Sequence, residues 1–226
     1  MSRHIPVLLN EVIEFLDPQP GENFIDGTFG GGGHSQAILE KIAPNGRLLA
    51  IDWNKEAIIK CRANKRVDCV QENFANLTTI MRQTNFPLAN GLLLDLGISS
   101  DELELSGRGF SFQKNEPLIM TYGDNQVPVM QLLRELSAED LTKILKKYGE
   151  ERHASRIAEA IKQRQRQMPI KTTGELVEII TKVVHRGANR LHPATRTFMA
   201  LRIYANHELE NLEKILQDLK SILSPG

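Results

Sequence analysis

Over the first hundred residues, short and nearly continuous apolar runs alternate with stretches of helical period. Asn23–Asp26, Arg47–Asp52, Val67–Gln71 and Gly91–Leu96 read as strands, and the second and fourth (RLLAID and GLLLDL) are almost wholly apolar. Runs without polar alternation suit parallel strands covered on both faces. Between them Val7–Leu16, His34–Ile42, Lys55–Ala63 and Asn76–Arg82 carry the helical pattern. Pro18 and Pro20 close the first helix, and the Pro44-Asn45-Gly46 turn closes the second. This β-α alternation predicts a doubly wound, mainly parallel α/β sheet.

The rhythm changes after residue 100. Residues 100–127 look like loop, with Gly107, Gly109, Pro117 and Gly123. From 128 to 223 only helical periodicity is visible. Ser137 with Asp140, and Thr172 with Glu175, read as capping boxes that open helices. Gly149 separates one helix from the next, and Met168-Pro169 closes that next one. An amphipathic helix is expected over Glu208–Leu223, followed by the stop signal Ser224-Pro225-Gly226. Four strands make a thin sheet for a doubly wound fold, so further C-terminal strands are expected and are absent from this sequence. The expected domains are 1–104 (strands 1–4), a helical insertion at 105–205, and a helix at 206–226 that returns to the sheet.

Composition narrows the class. The chain has 226 residues, 41% hydrophobic and 25% charged, ordinary values for a folded domain with its own core. No run approaches the roughly 20 apolar residues of a membrane span. Acids interrupt the N-terminal apolar run early, which argues against a signal peptide. Two cysteines, Cys61 and Cys69, are too few for a disulfide scaffold or a four-cysteine metal site, so a reducing cytoplasm is expected. No metal-ligand cluster is evident. Net charge is zero but unevenly spread. Residues 1–100 carry 9 Lys/Arg against 11 Asp/Glu, net −2, whereas residues 152–202 carry 11 against 3, net +8. The basic segment is a candidate nucleic-acid surface within a neutral chain.

The main chemical signal is Phe24-Ile25-Asp26-Gly27-Thr28-Phe29-Gly30-Gly31-Gly32-Gly33-His34-Ser35, a strand running through glycines into a helix. Glycines let a ligand approach the backbone, and the helix start offers unsatisfied N–H groups. Asp52 ends the next strand, nineteen residues after Gly33, where a carboxylate can accept hydrogen bonds from ribose hydroxyls. No Gly-Lys-Ser/Thr follows the glycines, which argues against a nucleoside-triphosphate loop. Nicotinamide dinucleotides and S-adenosylmethionine (AdoMet) remain. Asp26, just before the glycines, suits a cationic amino-acid tail better than a pyrophosphate. Phe74 follows strand three, where a ring could cover adenine or join the core. Asp95 follows strand four, at the end of the sheet where such folds bind ligands.

Together these residues resemble the bacterial RsmH (MraW) family of small-subunit ribosomal RNA cytosine N4-methyltransferases. The resemblance begins at His4-Ile5-Pro6-Val7-Leu8-Leu9 and runs through Asp26–Ser35, Leu94–Ser100, Arg108–Phe112 and Tyr148–Arg152. It continues through His192-Pro193-Ala194-Thr195-Arg196-Thr197-Phe198 and Ala200–Ile203 to Glu208-Leu209. It implies a class I (Rossmann-like) AdoMet-dependent methyltransferase with a helical insertion after strand four, acting on a decoding-region cytidine of 16S ribosomal RNA. By position, it places cofactor contacts on Gly32, Gly33, His34, Asp52, Phe74, Asp95 and Glu102. The chain departs from the family at Glu102, where the family has Gln, and at Ile119 and Thr121, where it has an acid and an arginine. Family members also continue beyond the position of Gly226.

Cytosine N4 is a weak nucleophile, and an acceptor for its amino proton would help it attack. Asp95, or the turn containing Ser99, is the candidate by position. Arg186, Arg190 and Arg196 are candidate RNA contacts in the basic segment. Arg202 and Arg196 also sit in a helical pattern that suits pairing within the fold. Low aromatic content, 5%, argues for phosphate and shape contacts over extensive base stacking. The competing expectation is a truncated or non-catalytic AdoMet- or RNA-binding homologue; a nicotinamide-dependent oxidoreductase is the third.

Overall fold

The computed structural model describes residues 6–99, 103, 106–184 and 191–225. The chain forms two compact units, Met1–Gly97 with Leu209–Gly226, and Ile98–Glu208.

In the first unit four parallel strands, β1 (Phe24–Asp26), β2 (Leu48–Asp52), β3 (Val67–Gln71) and β4 (Gly91–Leu93), lie in the order β3-β2-β1-β4. Ile25 faces Leu49 and Leu92 across the central pairs, and Asp26 faces Ala50 and Leu93. The order reverses between β1 and its two neighbours, which places the β1 C-terminus at the topological switch point. Helix α1 (Leu9–Leu16) precedes the sheet, and the connecting helices are α2 (Gly33–Lys41), α3 (Lys55–Cys61) and α4 (Leu77–Thr84), the last preceded by a 3-10 turn at Phe74–Asn76. The apolar runs become the buried layer. Ile25, Leu49 and Ile51 pack with Leu77 and Ile80 on one face, while Phe24 and Leu48 pack with Ile38, Leu39 and Ile42 on the other. Each such side chain contributes about 1.5–3 kcal/mol on burial.

The expected strands and helices of this unit are present, their ends falling within three residues of those expected. Strand four stops at Leu93, not Leu96, because Gly27 N–H meets Leu93 O and the ladder with β1 ends there. The chain also returns to this unit after residue 208. Its final helix buries Ile215 and Ile222 against the β1–β2 core face, and Leu223 then makes a single parallel bridge to Ala89, just before β4.

The cysteines depart from expectation. Cys61, at the end of α3, and Cys69, in β3, form a disulfide across a separation of 8 residues. Two cysteines cannot build a scaffold, yet they suffice for one staple where helix and strand bring them together.

The second unit holds α5 (Val129–Glu135), α6 (Ala138–Gly149), α7 (Ala154–Gln167), α8 (Thr173–Val183) and α9 (Thr195–Ala205); α10 (Glu208–Ile222) follows. Leu133, Leu141, Leu145, Ile157, Ile161 and Leu201 are fully buried in its core. Thr172 opens α8 with a complete capping box, its side chain accepting Glu175 N–H while the Glu175 carboxylate accepts Thr172 N–H. Ser137 opens α6 differently. Its hydroxyl accepts Asp140 N–H and donates to the Asp140 carboxylate, so the reciprocal backbone bond of a box is not made. Aspartate is one methylene shorter than glutamate and meets the hydroxyl first.

Candidate functional site

The glycine loop is stitched across the C-terminal ends of two strands. Gly27 N–H donates to Leu93 O of β4 and Phe29 N–H to Ile51 O of β2, at 2.9 and 3.0 Å. Gly30 N–H then donates to Asp52 Oδ2 at 2.7 Å. On the other side Thr28 Oγ1 accepts the Asp95 N–H at 2.7 Å. The loop thus crosses the switch point with its first two residues, Gly27 and Thr28, tied to the β4 side and the next two, Phe29 and Gly30, tied to the β2 side. Gly32, the cap of α2, has φ 78°, a left-handed conformation that any Cβ would strain. α2 starts at Gly33, so the N–H groups of its first turn lie at the end of the loop.

Three carboxylates gather here. Asp26 is buried beneath the loop, accepting Thr28 N–H at 3.1 Å and the Ser35 hydroxyl at 2.6 Å. Burial pushes its pKa up from 3.8 to about 6. The two hydrogen bonds oppose that rise, and the charges of Asp52 and Asp95 add to it. Asp26, expected to suit a ligand's cationic tail, is only 1% exposed, with each oxygen accepting one hydrogen bond from the protein. Its influence on a ligand is through its field.

Asp52 stands at the end of β2, Oδ1 accepting Asn54 N–H and Oδ2 accepting Gly30 N–H, each at 2.7 Å. Burial raises its pKa against the backbone bonds from Asn54, Gly30 and Trp53. Each carboxylate oxygen has a second acceptor position, so hydroxyl donors can still be met there. Asp95 is half exposed, and its Oδ2 lies 3.8 Å from Nε2 of the buried His34 in the first turn of α2. Gly32, Gly33, His34, Asp52 and Asp95 therefore converge at one end of the sheet.

Phe74 opens the 3-10 turn after β3 and is 8% exposed, within the cluster of Ile25, Leu49 and Leu77. It serves the core with most of its surface. A cavity of about 250 Å³ lies beside the loop between α2 and α3, lined by Phe29, Gly31, Gly32, Ser35, Lys60 and Cys61. Asp52, Phe74 and Asp95 do not line it. Sequence reasoning missed Thr28 and Ser35, although the Thr within Asp-Gly-Thr and the Ser that begins a helix were available as hydrogen-bonding signals.

Ser99 is the second residue of the second unit, its carbonyl accepting Leu103 N–H. Glu102, Arg186 and Arg190 lie outside the described residues. Arg196, in α9, donates from Nη1 to Glu150 O at 2.8 Å, satisfying a carbonyl just past the end of α6. Arg202 pairs with Glu208 through two hydrogen bonds, at 2.8 and 3.1 Å. The motif strings of this unit meet in space. Phe112 stacks on His192 at 4.7 Å between centroids and meets the edge of Phe198. Arg108 clamps the segment where the chain departs from the resembled family, donating to Thr121 O, Thr121 Oγ1 and Asp124. Thr121 thus provides an acceptor to that clamp.

Among the described residues no group of three His, Cys, Asp or Glu could hold a metal ion. Nor is any described helix long and apolar enough to cross a membrane.

A family model described as the MraW methylase family matches residues 1–226. A protein of Geotalea uraniireducens named ribosomal RNA small subunit methyltransferase H is 46% identical over 221 residues, covering 94% of this chain and 71% of that one. A protein of the same name from Syntrophotalea carbinolica is 41% identical over 232 residues, covering 99% of this chain and 74% of that one. A solved SAM-dependent methyltransferase of Aquifex aeolicus overlaps 29% of this chain and 38% of its own, at 17% identity and a TM-score of 0.26.

Proposed function

The chain belongs to the MraW methylase family, and on that premise we propose that it methylates the exocyclic N4 of a cytidine in the decoding region of 16S ribosomal RNA, with AdoMet as the methyl donor. The names of the relatives support ribosomal RNA of the small subunit as the substrate class.

The observation that carries the cofactor reading is the charge of the site. Asp26, Asp52 and Asp95 lie close enough that the latter two raise the pKa of the first. Such a cluster repels a pyrophosphate and attracts a cation. AdoMet carries a sulfonium and an ammonium; a nicotinamide dinucleotide carries two phosphates at this place. The donor set fits the remainder of the group. The Asp52 oxygens suit ribose hydroxyls, and the glycine loop lets a ligand reach backbone N–H groups.

When bound, AdoMet supplies a methyl group on a positively charged sulfur, which leaves as a neutral thioether. The protein's part is then chiefly positioning. Gly32, Gly33 and His34 line the start of α2, and Asp52 holds the ribose end. Asp95 is the half-exposed carboxylate at the switch point. We assign it the N4 amino hydrogen bond, which favours a localised lone pair and then takes the proton that nitrogen loses. Ser99 is the second candidate for that hydrogen bond. A base in a stack cannot reach such a site, so the target nucleotide is single-stranded or flipped. The basic stretch 152–202 is assigned to phosphate contacts, with Arg186, Arg190 and Arg196 as candidates. Arg196 would do so while capping α6.

The test is methyl transfer from labelled AdoMet to small subunits lacking the modification, followed by nucleoside analysis. N4-methylcytidine is expected. A different methylated nucleoside refutes the site. No transfer, with AdoMet binding intact by calorimetry, favours the non-catalytic homologue.

A further inference from the structure

β4 ends at Leu93, and with it the regular ladder to β1. Asp95 lies two residues further on, beyond the reach of that ladder. The backbone tie described at this point is the Asp95 N–H donated to Thr28 Oγ1 at 2.7 Å. Thr28 is itself held: its own N–H donates to Asp26 Oδ1 at 3.1 Å. Asp26 is fixed from the other side by Ser35 in the first turn of α2. A buried carboxylate, a threonine and the backbone of the half-exposed Asp95 therefore form one chain of hydrogen bonds. His34, one residue before Ser35, has its Nε2 3.8 Å from the Asp95 carboxylate at the far end of the same chain.

We propose that Thr28 is a positioning residue that sets the Asp95 carboxylate at the switch point through the Asp95 backbone. The inference rests on the assignment of Asp95 to the reacting amino group. Thr28 need not touch cofactor or RNA. Its hydroxyl is the acceptor that fixes φ and ψ of the turn carrying Asp95, and Asp26 orients that hydroxyl by holding the Thr28 backbone. A misplacement of about an ångström at a reacting group is enough to lower turnover strongly. The two halves of the contact lie 67 residues apart. The turn after β4 is therefore tied to the glycine loop by this bond, beyond the strand pairing itself.

The test is a double-mutant cycle in methyl transfer to undermethylated small subunits, with calorimetric AdoMet affinity measured alongside. Thr28→Val keeps the shape and removes the acceptor, and Thr28→Ala removes it without the branched side chain. Both are expected to lower kcat about tenfold while KM for the subunit stays within about twofold. Thr28→Ser restores the hydroxyl and should recover turnover to within about threefold of the parent. In an Asp95→Ala background the Val substitution should cost less than about twofold, because the group it positions is gone. Full turnover of both Thr28 variants, with Asp95→Ala impaired, overturns the positioning role and leaves the Asp95 assignment standing. An equal loss in both backgrounds overturns it too, because Thr28 would then act on the loop. Full turnover of Asp95→Ala defeats the assignment of Asp95 and this inference with it.

Discussion

Replacing Asp26 by Asn isolates the energetic cost of the buried carboxylate. Its pKa rises from 3.8 to about 6 on folding, chiefly because burial strips water from the charged form. An acid with a raised folded pKa binds its proton more tightly when folded than when unfolded. Stability therefore falls as pH rises between the two values, the reverse of a salt-bridged aspartate. Above about pH 6 the whole penalty is present; below 3.8 it is absent. The gap between 3.8 and about 6 corresponds to about 3 kcal/mol, of which about 2 kcal/mol develops between pH 4.5 and 8. Asn is nearly isosteric. Its oxygen can accept the Thr28 N–H and its amide can donate to Ser35 Oγ, so both existing contacts have counterparts. Urea unfolding of parent and Asp26→Asn should be compared from pH 4.5 to 8. The variant's stability relative to the parent is expected to rise by about 2 kcal/mol across that range, whatever constant offset the repacking adds. A flat difference would show that folding leaves the carboxylate's pKa unshifted, and one that rises toward low pH that the folded protein favours the charged form; either would refute the argument from burial.

Two further outcomes follow from the packing. Reducing Cys61–Cys69 should lower stability by about 2–3 kcal/mol, the loop-closure value for so short a loop; identical urea midpoints with and without reductant, or no two-dalton mass gain on reduction, would count against the staple. Gly149→Ala should destabilise by about 1–3 kcal/mol through crowding, although alanine is the better helix former. The new Cβ would stand 2.5 Å from Arg196 O and 3.0 Å from Ala200 Cβ, and a variant as stable as the parent would mean that α6 and α9 are not so closely packed.

Much of the fold was legible in the chain because its signals are local. Parallel strands covered on both faces must be apolar at successive positions, and Arg47–Asp52 and Gly91–Leu96 carry that run in their own residues. Thr172 and Glu175 form a capping box within four residues, so nothing distant has to agree. The glycine loop and the acid at the end of the next strand were also readable, since backbone approach and strand ends are properties of short segments.

Tertiary structure decided the rest, because it depended on which remote groups meet and which lose their water. Asp26 and Asp95 are the same residue type, each at or just past the end of a strand. Only packing buries the first under the loop and leaves the second half exposed. Thr28 meets Asp95 across 67 residues, and no local pattern announces such a bond. Cys61 and Cys69 are a helix end and a mid-strand position that only the α3–β3 turn brings within bonding reach. Chemistry at this sheet end was implied by residue types. Its electrostatics were set by desolvation, which a sequence does not contain and a folded chain imposes.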